Sequence, residues 1–124
     1  MNGCRGNETA WMAFLDRIQE EDVLMWNLKV GEIVFIETPT VYAIGEIEEL
    51  GLMHLRLKPG AHEIRTLNNL YTFLNDGKYH QDDEATPLPG YKIIPALSVV
   101  NVHQWVHEKM PKPNRTPAQM RGNL

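Results

Sequence analysis

Residues 31–57 read GEIVFIETPTVYAIGEIEELGLMHLRL, and this stretch decides the fold. The run from Ile33 to Ile36 is apolar and rich in β-branched residues, which favours a strand, and Thr38-Pro39 ends it because proline lacks a backbone donor. The sequence predicts a second strand from Val41 to Leu50. Gly45 inside that strand predicts a bulge or a sharp bend of the kind that lets a small sheet close on itself.

A third strand is predicted where polar and apolar residues alternate. The alternation places Met53, Leu55 and Leu57 on one face of the strand. It places His54 and Arg56 on the other face, which we expect to be solvated. The stretch therefore predicts a hairpin with one wet side.

Short strands around one short helix are predicted for the rest of the body. The sequence predicts strands at 61–66, 93–94 and 97–102 and an exposed loop at 80–90. It also predicts a helix that Thr66 caps and that ends at 75–77. The apolar stripe of this helix consists of Leu67, Leu70, Tyr71 and Leu74. The predicted fold class is mainly β. It is a small SH3-like β-barrel or β-sandwich of about five strands, with an N-terminal α-helix, a short inserted helix and an extended C-terminal tail.

An amphipathic helix is predicted over residues 9–21, before the β-structure. Its apolar residues recur at i, i+3, i+4 and i+7, and they are Trp11, Phe14, Leu15 and Ile18. Burying each would stabilise the protein by about 1.5–3 kcal/mol, so the stripe must rest on its own body or on another subunit. The run from Val23 to Trp26 extends this apolar surface.

Composition divides the chain of 124 residues into an arm, a body and a tail. We assign 1–30 to the N-terminal arm and helix, 31–108 to one β domain, and 109–124 to a Pro-rich basic tail. The tail has four cationic side chains and no acidic one, while the whole chain carries a net charge of −4. Such a tail suits phosphate, an anionic surface or the acidic face of a neighbouring copy.

Cysteine content and hydropathy bear on location. Cys4 is the one cysteine, which excludes an intramolecular disulfide or a cysteine zinc site within one copy. No stretch approaches the roughly 18 apolar residues of a spanning helix, and no signal peptide is recognised at Met1. We therefore expect residence in a virion or in the host cytoplasm, without secretion by a signal peptide and without a membrane partner.

Two histidines flank a tryptophan in the stretch VNVHQWVHEKMPKP, residues 100–113. In an extended strand His103 and His107 would be about 13 Å apart, too far for one zinc with bonds of about 2 Å. A helix would place the same pair suitably for a metal. We expect Trp105 to be a packing anchor and His107 to be hydrogen-bonded near the strand end, with no metal and no cofactor.

Other polar groups are interpreted as solvated surface. The carboxylates Glu46, Glu48 and Glu49 contain a same-face pair that could act in acid–base chemistry if it were buried in a cleft, but an outward-facing acidic row is typical of a solvated face. His80 with Asp82, Asp83 and Glu84 could surround a divalent ion, but this run lacks the glycine-punctuated spacing of a calcium loop. Ser98 lies in an apolar run and Cys4 in the arm, where no base is held against either. No catalytic residue is predicted.

Several short motifs occur in an order that is familiar over about two thirds of the chain. They are Gly31-x-x-Val34-Phe35-Ile36-x-Thr38, Thr40-Val41-Tyr42 with Gly45, Phe73-Leu74-x-x-Gly77, the loop with Pro87 and Pro89, and Trp105-x-His107-x-x-x-Pro111. In these motifs the segment 31–111 resembles a group of small uncharacterised proteins common in phage, prophage and other bacterial genomes. The resemblance implies a compact, mostly β fold. The chain departs from the group at 61–67, where His62 and Arg65 replace an aromatic and an acidic residue.

Three functional hypotheses follow. The first is a non-enzymatic structural or assembly protein, a phage virion accessory or capsid-decorating protein, that binds copies of itself or other virion subunits. Its expected contact residues are Trp11, Phe14, Leu15, Ile18, Trp26, Arg115 and Arg121. The alternative is a small nucleic-acid-binding β-barrel, and a second alternative is a metal-dependent enzyme that uses His103 and His107.

Overall fold

A computed structural model describes residues 27–113 of the chain. Predictions that concern residues 1–26 and 114–124 lie outside the described residues. They are the N-terminal helix, its contact residues Trp11, Phe14, Leu15, Ile18 and Trp26, and the tail residues Arg115 and Arg121.

The described chain is mainly β, as predicted, with one short α-helix. Its elements are β1 (Ile33–Glu37), β2 (Tyr42–Leu50), β3 (His54–Leu57), β4 (His62–Thr66), α1 (Leu70–Asp76), β5 (Glu84–Pro87), β6 (Lys92–Pro95), a 3₁₀ turn (Ala96–Ser98) and β7 (Asn101–Gln104). Seven strands replace the predicted five or so. The prediction of an exposed loop over 80–90 was wrong in part, because β5 forms within it and pairs with β4.

All strand pairs are antiparallel, and β2 belongs to two sheets. The first sheet has the order β5-β4-β2-β1-β7, and the second consists of the end of β2 with β3 and β6. The register of β2 shifts between Ile47 and Glu49, so the irregularity falls just after Gly45. Gly45 itself allows a close approach, since a Cβ there would lie 2.7 Å from the Cβ of Ala61.

The first sheet is covered on both faces. Val34 and Ile36 of β1 belong to one core cluster, and Phe35 between them belongs to another. The aliphatic core contains Leu28, Val34, Ile36, Ala43, Ile47, Leu55, Leu57, Ala61 and Ile94, and it lies between the two sheets. The aromatic core contains Phe35, Ile44, Ile64, Phe73, Ala85 and Trp105, and it lies between the first sheet and α1.

Helix α1 is attached to the sheet mainly by one side chain. Phe73 is its only buried residue, and its ring stacks on Tyr79 with centroids 4.9 Å apart. The side chain of Asn69 caps the helix by accepting from the Thr72 N–H, and Gly77 ends it in the left-handed conformation. The predicted cap at Thr66 was wrong, and so was the inclusion of Tyr71 in the apolar stripe, since Tyr71 is 72% exposed.

Candidate functional site

The outer face of the second sheet brings together polar and apolar side chains. Leu55, Leu57 and Ile94 are buried, so their strand neighbours project away from the aliphatic core. Arg56 of β3 lies directly opposite Ile93 of β6 in the register. This alternation confirms the predicted wet side of β3.

Exposed apolar residues form a band along β6 and in the two turns at its end. We define the apolar band as Leu52, Met53, Tyr91, Ile93 and Leu97, each of which is about half exposed or more. The Met53 carbonyl accepts from the Ala96 N–H at 2.8 Å, which places the β2–β3 turn beside Leu97. Two predictions were wrong here. Met53 precedes β3 and does not face the core, and Leu97 lies in the 3₁₀ turn, where it is 89% exposed.

Carboxylates from β2 line the opposite side of the face, and each has a cationic partner. Glu46 pairs with the Lys58 ammonium, and its hydrogen bond raises the pKa of Lys58. Glu48 Oε2 lies 3.2 Å from Arg56 Nε, and Glu49 Oε2 lies 3.0 Å from Arg56 Nη2. These groups are partly exposed, as predicted, and pairing cancels much of their negative field.

One link connects the charged side of this face to the apolar band. The Arg56 guanidinium lies 5.5 Å from the ring centroid of Tyr91, a cation–π distance. His54 extends the charged row through a 2.9 Å contact between its Nε2 and Glu49 Oε1. The face therefore changes from paired charges to apolar groups across three strands.

The free edge of β6 offers few hydrogen-bonding groups. Among residues 27–113, β6 pairs with β3 alone. Hydrogen-bonded and non-hydrogen-bonded pairs alternate along an antiparallel ladder, and Met53–Ala96 is a hydrogen-bonded pair. The backbone polar groups of Ile93 and Pro95 therefore point towards the free edge. Pro95 has no N–H there, and proline at this position discourages the addition of another strand. Contact through the side chains of the face is favoured over strand addition.

The His103–Trp105–His107 motif has a structural arrangement. β7 ends at Gln104, so Trp105 and His107 follow the strand. Trp105 is buried and its Nε1–H donates to the Lys109 carbonyl at 2.9 Å, which confirms its predicted packing role.

The two histidines of the motif have different partners. His107 Nε2 donates to the Leu74 carbonyl at the end of α1 at 2.9 Å, so His107 is hydrogen-bonded, as predicted. His103 Nε2 donates to Glu37 Oε2 at 3.0 Å. Within the described part of the chain, no three His, Cys, Asp or Glu side chains come together as a metal-binding group.

A buried polar cluster beside α1 was missed by sequence reasoning. Asp83, predicted to be exposed, is 2% exposed, and its oxygens accept from the backbone N–H groups of Asn68 and His80 at 2.6 Å each. His62 Nδ1 lies 2.7 Å from the Tyr79 hydroxyl. Burial lowers the pKa of His62, and burial together with the charge of Asp83 raises the pKa of Tyr79.

This polar cluster borders a small open cavity of about 170 Å³, lined in part by Asn69, Lys78 and His80. Its hydrogen bonds join β4 to Tyr79, which follows α1, and join Asp83, in the segment before β5, to Asn68, which precedes α1. Its groups are therefore engaged in holding the helix. The one sequence signal for it was the alternation of β4, which turns His62 inward together with Ile64.

Comparison of the chain with protein-family models, curated proteins and solved structures gave no match. No helix within residues 27–113 is both long enough and apolar enough to cross a membrane.

Proposed function

We propose that the protein is a non-enzymatic assembly subunit that binds neighbouring protein subunits. The observation that carries the proposal is the apolar band. Single exposed apolar residues are ordinary, but a contiguous apolar patch with a polar rim is typical of a protein-binding surface. Here five large apolar side chains are exposed along one sheet edge and the turn beside it.

The charges around the apolar band support a protein partner. Protein interfaces commonly have an apolar centre and a polar, hydrated rim. Arg56 and Lys58 are paired with carboxylates of β2, so an approaching apolar surface does not have to strip water from unpaired charges. The rim would then contribute more to specificity than to affinity.

In its finer form, the proposal is a phage virion accessory or capsid-decorating protein located in the virion or the host cytoplasm. The sequence motifs of residues 31–111 support this form through their resemblance to small phage and prophage proteins. Partners would be copies of itself or other virion subunits. The arm residues Trp11, Phe14, Leu15, Ile18 and Trp26 and the tail residues Arg115 and Arg121 would add contacts to those of the apolar band.

The finer fold assignment, a small SH3-like barrel, is part of the same proposal. The strand β2, which is shared by two sheets and shifts its register between Ile47 and Glu49, supports it. Small barrels expose faces and loops that suit binding.

A second candidate function is nucleic-acid binding, favoured by the stacking of Arg56 on Tyr91. Such basic and aromatic pairs can hold single-stranded nucleic acid. Glu48 and Glu49 weigh against it, because both carboxylates contact Arg56 and would repel phosphate.

Size-exclusion chromatography with light scattering tests the proposal over a wide range of protein concentration at low and high salt. We expect reversible association that persists at high salt, because apolar contacts are screened little. Leu97→Asp should weaken it by about tenfold, since a charge would be buried in the contact. Tyr71→Asp introduces the same charge at an exposed residue outside the apolar band, and it should leave the association unchanged.

Two outcomes would overturn the proposal. One is a strict monomer at every concentration that also fails to bind any virion or host subunit when it is mixed with purified particles. The other is a labelled oligonucleotide that binds at low salt, is released at high salt, and depends on Arg56 but not on Leu97. That pattern would favour nucleic-acid binding.

A further inference from the structure

We propose that β7 pairs with β7 of a second copy of the chain, so that the first sheets of two copies join into one. The inference concerns a different surface from the apolar band and goes beyond the proposed function, because it names one partner and the contact with it. β7 (Asn101–Gln104) lies at one end of the first sheet. Within residues 27–113 it pairs with β1 alone.

Hydrogen bonding in the first sheet determines which residues of β7 face its free edge. The Thr38 N–H donates to the Val41 carbonyl in continuation of the β1–β2 ladder, so even-numbered residues of β1 direct their backbone groups towards β2. The odd-numbered residues of β1 therefore bond to the odd-numbered residues of β7, with which they are paired. Val102 and Gln104 are left with backbone N–H and C=O groups that point to the free edge. Within residues 27–113 no backbone group bonds to them there.

Proline blocks the two other free edges of the described sheets. Within residues 27–113, β5 pairs with β4 alone and β6 with β3 alone. The Leu88 N–H donates to the Ala61 carbonyl, so alternation along the β4–β5 ladder turns Pro87 towards the free edge of β5. Pro95 has the same position in β6, and neither proline can donate to an added strand. β7 contains no proline, so its edge can accept a strand over its full length.

The symmetry of two identical strands fixes the register of the pairing. Hydrogen-bonded and non-hydrogen-bonded pairs alternate in an antiparallel ladder, so a two-fold axis requires one residue to lie opposite its own copy. With His103 at the axis, Val102 lies opposite Gln104 of the second copy, and Gln104 lies opposite Val102 of the second copy. Each of these two pairs exchanges two hydrogen bonds, so the register uses every outward backbone group of β7.

The residues at both ends of β7 also fit a second copy. Val100 and Val106 are each more than half exposed, one before the strand and one after it. The register with His103 at the axis places Val100 beside Val106 of the second copy. Each end of the paired strands is therefore closed by a contact between exposed apolar side chains.

The charges of β7 permit this approach between two copies. The strand has no carboxylate, lysine or arginine, although the whole chain carries a net charge of −4. Its one titratable residue, His103, is bonded to Glu37 of its own copy at 3.0 Å. No like-charged side chains of the two strands lie opposite each other, an arrangement that would destabilise the pair. The contact is small, so the expected dimer is weak and reversible.

Disulfide trapping of the full chain tests the register, with the variant Cys4→Ser as background. His103→Cys places two sulfur atoms in one non-hydrogen-bonded pair, in which Cα atoms are about 4.5 Å apart, within the range of a disulfide. Asn101→Cys is the matched control on the same face of β7, since its two copies would be about 13 Å apart along the strands. We expect disulfide-linked dimer to form at least about tenfold faster with His103→Cys. Each rate is first divided by the rate of reaction with a small thiol reagent.

A proline substitution tests the backbone contact. Gln104→Pro removes an N–H that the ladder with β1 does not use, and it reproduces the arrangement at Pro87 and Pro95. It should raise the dissociation constant of the dimer by at least about tenfold, because two of the four hydrogen bonds are lost. Gln104→Ala retains the N–H and should leave the constant unchanged. Sedimentation equilibrium measures both constants, and circular dichroism checks that both variants are folded.

Equal normalised rates of disulfide formation for His103→Cys and Asn101→Cys would overturn the inference. So would a dissociation constant that Gln104→Pro leaves unchanged. Association that Leu97→Asp weakens and Gln104→Pro does not would retain the proposed function and overturn the pairing of β7. Disulfide trapping by His103→Cys that persists when Leu97→Asp is added would support the pairing of β7 independently of the apolar band.

Discussion

The aliphatic core and the aromatic core are built in different ways. The aliphatic core lies between two sheets and consists of side chains that alternate along neighbouring strands. The aromatic core lies under α1 and depends on Phe73, Trp105 and the ring of Tyr79. Polar groups border it, including the buried His62 and Asp83.

This difference separates two kinds of stability. In the aliphatic core all side chains except those of Leu28 and Ala61 are directed inward by the strand that carries them. For those side chains local sequence and strand pairing suffice. In the aromatic core the helix has one buried side chain, and hydrogen bonds from distant residues hold its two ends. Asp83 fixes the segment before α1 through Asn68, and His107 binds the Leu74 carbonyl at its end. We expect the aromatic core to be the region that opens first.

Phe73→Ala should have the largest effect. Removing a buried phenylalanine lowers the free energy of unfolding by about 3–5 kcal/mol. We also expect hydrogen exchange in α1 to become fast while β1 and β2 remain protected, because the helix has no other buried residue. Urea denaturation and hydrogen exchange measure both effects.

Leu57→Ala is the comparison in the aliphatic core. It should lower the free energy of unfolding by about 2–5 kcal/mol, with faster exchange spread over both sheets. If the two variants gave the same exchange pattern, the two cores would form one cooperative unit and the comparison would fail.

Asp83→Ala should have the next largest effect. It removes the carboxylate acceptor of the Asn68 and His80 backbone N–H groups, and hydrogen bonds to a charged group contribute about 1.5–3 kcal/mol. The neighbouring Asp82 is exposed, so Asp82→Ala is a matched control and should change stability by less than about 0.5 kcal/mol. Thermal denaturation of both variants at neutral pH provides the measurement. An equal, small change in both would mean that Asp83 does not hold the helix.

The smallest expected effect is a pH dependence from His62. Its pKa is lowered in the folded protein, so below about pH 6.5, the ordinary value, the unfolded chain binds more protons. The stability contributed by the neutral imidazole is complete above that pH and is lost as the pH falls below it. Urea denaturation at several pH values between neutrality and pH 5 measures this loss.

One variant isolates the contribution of His62. His62→Gln should flatten the pH dependence, because glutamine does not titrate. A slope unchanged by His62→Gln would assign the pH dependence to another group.

Sequence reasoning predicted the parts governed by local pattern. β1 to β4 follow from β-branched runs, from alternation and from Pro39, and the structure contains them close to the expected positions. The predicted packing of Trp105 and the predicted hydrogen bond of His107 are also present in the structure. Predictions about residues 1–26 and 114–124 remain predictions.

The polar and apolar features of the surface were harder to predict. Asp83 lies in an acidic run that is typical of a solvated loop, and only its two backbone donors, 3 and 15 residues away, explain its burial. Met53 fits the alternation of β3 but lies one residue before the strand begins, so it is exposed. Leu97 belongs to an apolar run that becomes a 3₁₀ turn after Pro95.

By itself the sequence determined a mainly β body, because strands are recognised from local β-branched runs and from the alternation of apolar and polar residues. Tertiary structure decided which strands share a sheet, which polar groups are buried, and that five exposed apolar residues lie along β6 and in the turns at its end. These depend on pairing between residues far apart in the chain. The free energy of such contacts is set by the fold around them, and no local pattern records it.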